Sequence, residues 1–284
     1  MHFSAAQSLG RSSAKARENR PVVPVLKISD ITYRTFPVSS MTLQSSECAN
    51  FHPKNPFQMP PAKRTKGACS FCGKEMTRAG MLKHLDSCKK RALQNKERNA
   101  TSKPSMNLIQ LMAYYPYTSE FWLYLEVKSA ATLKDLDFYL RQIWLECCGH
   151  LSQFCHGSYY GNKIPMSSKA YKIFEPDTEL FYAYDFGSTT ELKVKMVGSR
   201  NGTPLSNNPV YLLARNNMPD VPCDKCGKPS GWLDLEALYE NGEFVTLCDA
   251  HNAGKAESDY GESQLFNSPR TGTCSYDGPA VPPY

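Results

Sequence analysis

The chain has 284 residues, 41% of them hydrophobic and 21% charged, with 33 Lys+Arg against 27 Asp+Glu and a mean hydropathy of −0.48. This is the balance of a globular chain of one or two domains. Its longest apolar stretches, Phe121 to Val127 and Val210 to Ala214, fall far short of the ~20 residues of a membrane helix, so no membrane partner is expected. Twenty prolines and 17 glycines without a three-residue period exclude collagen and a long coiled coil.

Charge is unevenly distributed. Residues 1–58 carry a net +4, residues 59–104 carry 12 Lys+Arg against 3 Asp+Glu, and residues 105–284 carry a net −7. A basic front end on an acidic body points to a segment that faces a polyanion, joined to a domain with another task.

Residues 1–58 show no helical or strand period and read as a disordered extension. Met1 to Arg20 lacks the apolar core of a secretory signal. Arg11, Lys15, Arg17 and Arg20 alternate with Ser and Ala in the manner of an organelle transit peptide, but the plainer expectation is that Met59 is the true start and that the protein is cytoplasmic.

The basic segment, residues 59–104, holds the first metal motif. Cys69 and Cys72, with two residues between them, make a tight knuckle, and His84 and Cys88, at i and i+4, emerge on one face of a helix. Four such ligands close a tetrahedron around zinc and leave no open position, which makes the site structural. Met76 and Met81 stand where a small ββα finger places its core, and Gly73 frees the turn after the knuckle. The motif resembles a Cys-Cys-His-Cys variant of the C2H2-type zinc finger; the alternative is an idle cysteine pair beside a surface histidine. So short a segment cannot bury enough surface to fold unaided, so the metal must supply stability. Arg78, Lys83, Lys89, Lys90 and Arg91 are the candidate nucleic-acid contacts, supported by Lys63, Arg64, Lys66, Lys96 and Arg98. The same charges also suit a solvated helix or a finger that docks on protein.

Residues 105–220 read as the body. Phe121, Leu123, Leu125 and Val127 alternate with Trp122, Tyr124 and Glu126, predicting a strand with one face in the core. Thr132 and Asp135 form a capping box for a helix that gathers Leu133, Leu136, Leu140, Ile143, Trp144 and Cys147 on one side. Further strands are predicted at Lys172 to Phe174, Leu180 to Asp185, Glu191 to Val197 and Val210 to Ala214. With strands dominating and one good helix, the fold class is α+β: a mainly antiparallel sheet with a helix packed on it, an N-terminal zinc finger and a C-terminal zinc knuckle or ribbon.

The second metal motif, in residues 221–252, pairs Cys223 and Cys226 with Cys248 and His251. Two knuckles can clamp one ion, so two zinc ions are expected in all; iron and cobalt also suit thiolate sites. A disulfide between the pairs would need an oxidising compartment. Trp232, Leu233, Leu235, Leu238 and Tyr239 suggest a short helix between the knuckles, Phe244 to Leu247 a strand, and residues 253–284 an irregular tail.

Of the remaining cysteines, Cys147 and Cys148 with His150, and Cys155 with His156, admit three readings: packing, a nucleophile with its base, or a third ion. Packing is the plainest, since Cys147 lies on the apolar helix face.

Several short motifs in this body resemble the plasmid pRiA4b ORF-3-like family. They are Thr132-Leu-Lys-Asp-Leu, Ile143-Trp144, Gly149-His150-Leu151-Ser-Gln-Phe154 and Tyr182-Ala-Tyr184-Asp185-Phe186-Gly187, in that order, with a tail match at Asn267-Ser-Pro-Arg270. The likeness covers residues 119–220 and implies an α+β domain with a mobile-element association, some members carrying resolvase or repressor labels. Members usually continue after Phe-Gly with Asp and Trp, whereas Ser188-Thr189-Thr190 stand here, which puts any ligand role of that pair in doubt. No Tyr-x-Arg-x-Ser recombinase signature, phosphate-cradling loop or nucleophile elbow occurs. The expected function is therefore a zinc-binding, non-catalytic, nucleic-acid-associated protein. The alternatives are a protein-interaction adaptor and an enzyme using His150 and Asp185.

Overall fold

The strands β1 (Lys66–Cys69) and β2 (Glu75–Thr77) form a hairpin, followed by helices α1 (Arg78–Ser87) and α2 (Lys89–Asn99). The computed structural model describes residues 65–274 and 276–279, all within the unit His52–Tyr284. The expectations placed on residues 1–58, on Met59 as the start, and on Lys63 and Arg64 lie outside the described residues.

The body continues through β3 (Met106–Tyr114), β4 (Trp122–Lys128), helix α3 (Leu133–Leu140), β5 (Ser152–His156), β6 (Lys163–Ile164), α4 (Ala170–Ile173), β7 (Glu179–Tyr184), β8 (Thr190–Gly202) and β9 (Val210–Asn216). These strands and the hairpin make one nine-stranded sheet in the order β2-β1-β9-β4-β3-β8-β7-β5-β6, with antiparallel neighbours throughout. Beyond it lie β10 (Trp232–Leu233), α5 (Leu235–Asn241), β11 (Thr246–Leu247), α6 (Asp249–Asn252) and β12 (Ser263–Gln264), whose strands form a second antiparallel sheet, β11-β10-β12. The fold is α+β and dominated by antiparallel sheet, as the strand-rich pattern requires.

Thr132 starts α3 with the capping box read from the sequence. Its hydroxyl accepts from the Asp135 amide at 3.2 Å, and its own amide donates to Asp135 Oδ2 at 2.7 Å. Two amides that the helix cannot satisfy internally are thereby paired. Thr132→Ala is expected to cost about 1 to 2 kcal/mol, seen as a lower urea midpoint at unchanged slope; an unmoved midpoint would leave this cap without weight.

The helix and the turn that follows it bury Leu133, Leu136, Leu140, Ile143 and Trp144 against one face of the sheet, where they meet Leu123, Leu125 and Val127 of β4 and Ile109, Leu111 and Ala113 of β3. After Leu140 the backbone widens into a π-helical turn, Arg141–Leu145, so Cys147 lies beyond the helix, though it still packs half-buried against the same core.

Several expectations are corrected. The period-two pattern of β4 implied one buried face, but both are buried: Trp122 and Tyr124 pack with Phe71, Met81 and Leu85 of the finger and with Leu213 and Ala214 of β9. The finger is therefore continuous with the body. Strand β1 pairs with β9, matching Gly67 to Asn216 and Cys69 to Ala214. Gly67 permits that approach, because a Cβ there would stand 2.3 Å from the Arg215 carbonyl and 2.4 Å from the Trp122 ring. The strand expected at Lys172 to Phe174 is replaced by the single turn α4. Ala170 and Phe174 are both buried, and a spacing of four residues with the Phe174 amide donating to Ala170 O at 2.9 Å is helical. The tail is largely irregular, as expected, but packs on the body: β12 joins the second sheet, and Ser268, Arg270 and Thr271 are buried; residues 275 and 280–284 of that expectation lie outside the described residues.

Candidate metal centres

The first centre is assembled by the finger hairpin. The Gly73 amide donates to Cys69 O at 2.9 Å and the Cys69 amide donates to Lys74 O at 3.1 Å, which folds the knuckle tightly. Gly73 holds φ at +72°, a conformation that strains other residues. Helix α1, capped by Thr77, presents His84, and Cys88 stands between α1 and α2. Cys69 and Cys88 sulfurs lie 3.9 Å apart, and Cys72 Sγ lies 3.2 Å from His84 Nε2. A tetrahedral zinc with ordinary bond lengths places two sulfurs about 3.8 Å apart and a sulfur and a nitrogen about 3.5 Å apart. The side chains already approximate that tetrahedron, and Met81 and Leu85 close it from the apolar side.

The second centre repeats the device. Gly227, at φ +72°, donates its amide to Cys223 O at 2.7 Å, and the Cys223 amide donates to Lys228 O at 2.7 Å. The opposite knuckle, from β11 into α6, supplies Cys248 and His251. Asp224 ties the two together by accepting from the Thr246 amide at 2.6 Å and its hydroxyl at 3.1 Å. Cys226 and Cys248 sulfurs are 3.7 Å apart, and His251 Nδ1 lies 3.3 Å from Cys223 Sγ and 3.5 Å from Cys248 Sγ. Among the described residues no disulfide joins the pairs, and the ligand atoms of each quartet converge within 4.8 Å of one another.

Electrostatics favour a cation in both. Burial pushes the Cys69 thiol up to about 11, and neighbouring Cys72 and Cys88 add to the rise against the amides of Phe71 and Cys72. For Cys223 burial acts upward as well, but His251 and the amides of Cys248, Lys225 and Cys226 hold the thiolate, bringing it down to about 6. Sulfurs this close cannot all ionise without a countercharge, which a divalent ion provides. The Cys/His clusters can thus bind metal, and their closed, sulfur-rich donor sets suit zinc in a structural role.

A third group gathers where the body meets the C-terminal segment. Cys147, Cys148 and His150 of the turn after α3 meet Cys274, and their ligand atoms all lie within 4.8 Å of one another. Asp185, at φ +65°, stands beside them, 3.5 Å from His150 Nδ1. Cys155 and His156 are elsewhere. Cys155 is buried with Phe181 and Ala183, and His156 is exposed at the end of β5. Cys274 could not be assigned from sequence, because it lies 126 residues from Cys148.

The five basic positions singled out from sequence divide. Lys83, Lys89 and Lys90 are exposed on α1 and α2, as is Lys96. Arg78 is half-buried with its guanidinium 4.9 Å above the Tyr114 ring. Arg91 is corrected: it is buried, donates to Leu85 O at 2.9 Å, and faces Glu126 at 3.6 Å, so it belongs to the packing of α2 on the sheet. Charge alone could not place it, since its acidic partner lies on a strand of the body.

Among the described residues, no helix is long and apolar enough to cross a membrane. No family model matches this chain, and no curated protein matches it. Among solved structures, the crystal structure of MM3350, a protein of unknown function from Methanosarcina mazei Go1, aligns at 17% identity with a TM-score of 0.33, covering 43% of this chain and 75% of that chain. A superposition that loose carries no argument about fold or function.

Proposed function

We propose that this is a zinc-stabilised, non-catalytic protein that associates with nucleic acid through the lysine-bearing outer face of α1 and α2. The observation that carries the reading is the exposure of Lys83, Lys89, Lys90 and Lys96 on adjoining helices within a segment of 12 Lys+Arg and 3 Asp+Glu. Lys89 and Lys90 occupy the first turn of α2, where they oppose the helix dipole and no side chain caps the amides. A phosphate at that end would relieve both defects. Phosphate contact without base reading is the expected mode, because a single finger spans only ~3 base pairs.

The mobile-element association is part of the same proposal. It rests on the pRiA4b ORF-3-like motifs, whose residues form the cap of α3, the π-helical turn, strand β5 and the end of β7. His150 and Asp185 adjoin as the enzymatic alternative requires, but Asp185 is engaged by Arg270 at 2.5 Å, which leaves its carboxylate in an ion pair.

Fluorescence anisotropy with short duplex and single-stranded DNA tests the reading. Four phosphate contacts predict affinity falling about 10²-fold between about 50 and about 200 mM salt. Replacing Lys83, Lys89, Lys90 and Lys96 together with alanine should remove most of that dependence. Absence of binding at low salt, or a quadruple variant that binds as well as the parent, would overturn the proposal.

A further inference from the structure

We propose that Cys147, Cys148, His150 and Cys274 form a third zinc site, which fastens the C-terminal segment to the turn following α3. The reading is independent of the nucleic-acid proposal, and it raises the expected content from two zinc ions to three.

The four ligand atoms lie within 4.8 Å of one another, close to the spread of a coordination sphere. Cys148 Sγ lies 3.8 Å from Cys147 Sγ and 3.5 Å from Cys274 Sγ, while His150 Nε2 lies 2.9 Å from Cys148 Sγ and 3.5 Å from Cys274 Sγ. Tetrahedral zinc requires about 3.8 Å between sulfurs and about 3.5 Å between sulfur and nitrogen. Three thiolates and one imidazole complete the tetrahedron, so no position is left for substrate or water and the role is structural.

The surroundings are those of a metal-bound histidine. His150 Nδ1 faces Asp185 Oδ1 at 3.5 Å, an arrangement that favours the proton on Nδ1 and leaves Nε2 free to face the sulfurs of Cys148 and Cys274. Asp185 is itself held by Arg270, which is fully buried, donates to Asp185 Oδ2 at 2.5 Å and to the Ser188 carbonyl at 2.7 Å. The same guanidinium lies 3.5 Å from Cys147 Sγ, where it can donate to a thiolate. The turn is braced from the other side by Glu146, which accepts from the Gly149 amide at 2.6 Å. Gly149, at φ +81°, follows Cys148 as Gly73 follows Cys72 and Gly227 follows Cys226. Binding would release the thiol protons to solvent and leave the imidazole neutral.

Elemental analysis of the full chain, purified under reducing conditions, tests this directly. Three zinc equivalents are expected. The Cys148→Ser/Cys274→Ser double variant should retain two, and so should His150→Ala, a partly exposed position whose replacement leaves the core intact. After exchange with cobalt, both variants should lose about a third of the parent's sulfur-to-metal charge-transfer absorption. The proposal is overturned if the variants hold as much metal as the parent. It is equally overturned if the parent carries only two zinc ions. Variants of Cys69 and Cys223 serve as the controls that identify the other two equivalents, so that loss of either of those sites is not mistaken for loss of this one.

Discussion

Chelation of the first centre should detach the finger from the sheet. Zinc contributes about 10 to 16 kcal/mol to small fingers. The four ligands here join the knuckle, α1 and the start of α2 at one point, and the surface that the finger covers includes Trp122 and Tyr124. Without the ion, three sulfurs crowd a buried point, and Met81 and Leu85 lose the frame that presses them on β4 and β9. Strand pairing of β1 with β9 is too short to hold the module alone. Strong chelator, or Cys69→Ser, should therefore red-shift and quench Trp122 fluorescence and open α1 and α2 to trypsin at Lys83, Lys89 and Lys90. Helices and strands of the body should persist in circular dichroism, and added zinc should reverse the change in the parent only. A protein whose fluorescence and protease resistance ignore chelation would have a finger that stands on packing alone, and the metal reading of this quartet would fail.

What could be read from the sequence follows the range of the interactions. Both knuckle quartets are legible because their ligands come in pairs with two or three residues between the members, a local geometry that spacing specifies. The capping box of Thr132 and Asp135 was legible for the same reason. Strand β3 was not, because Leu108, Ile109, Leu111 and Ala113 are buried without a clean alternation, both faces of the central sheet being covered. That second covering also explains the misreading of β4: Trp122 and Tyr124 look like an outer face until the finger, some forty residues earlier, is placed on them. The third cluster was half legible. Cys147, Cys148 and His150 stood out as chemically loaded, but the residue that completes them comes from the far end of the chain, and its neighbour Arg270 is buried by an ion pair with Asp185 that no periodicity announces.

Removing the carboxylate of Glu126 should be the most damaging single change in the body. Glu126 lies on β4, nearly inaccessible at 3% exposure, on the face covered by α2. It accepts a two-pronged pair of hydrogen bonds from Arg200 of β8, Nε to Oε2 and Nη2 to Oε1, both at 2.7 Å, and lies 3.6 Å from Arg91 of α2. Such forked pairs are the strongest of the charge-assisted bonds. The energetic weight lies less in the attraction than in what remains once it is gone, because two guanidinium groups would then sit in a water-poor layer without a countercharge. Glu126→Gln, which keeps the shape and removes only the charge, is expected to cost about 3 to 5 kcal/mol in urea unfolding of the metal-loaded protein. Arg91→Met in the same chain should return part of that loss, since it withdraws one of the stranded cations; a double-mutant cycle then isolates the coupling between helix and sheet. The same variant separates stability from binding: Arg91→Met alone should weaken the docking of α2 while leaving the salt dependence of DNA binding as it was, because the lysines face outward and Arg91 does not. Additive losses in the cycle, or a Glu126→Gln protein as stable as the parent, would mean that α2 is held on the sheet by Phe71, Leu85 and their apolar neighbours without help from this charge triad.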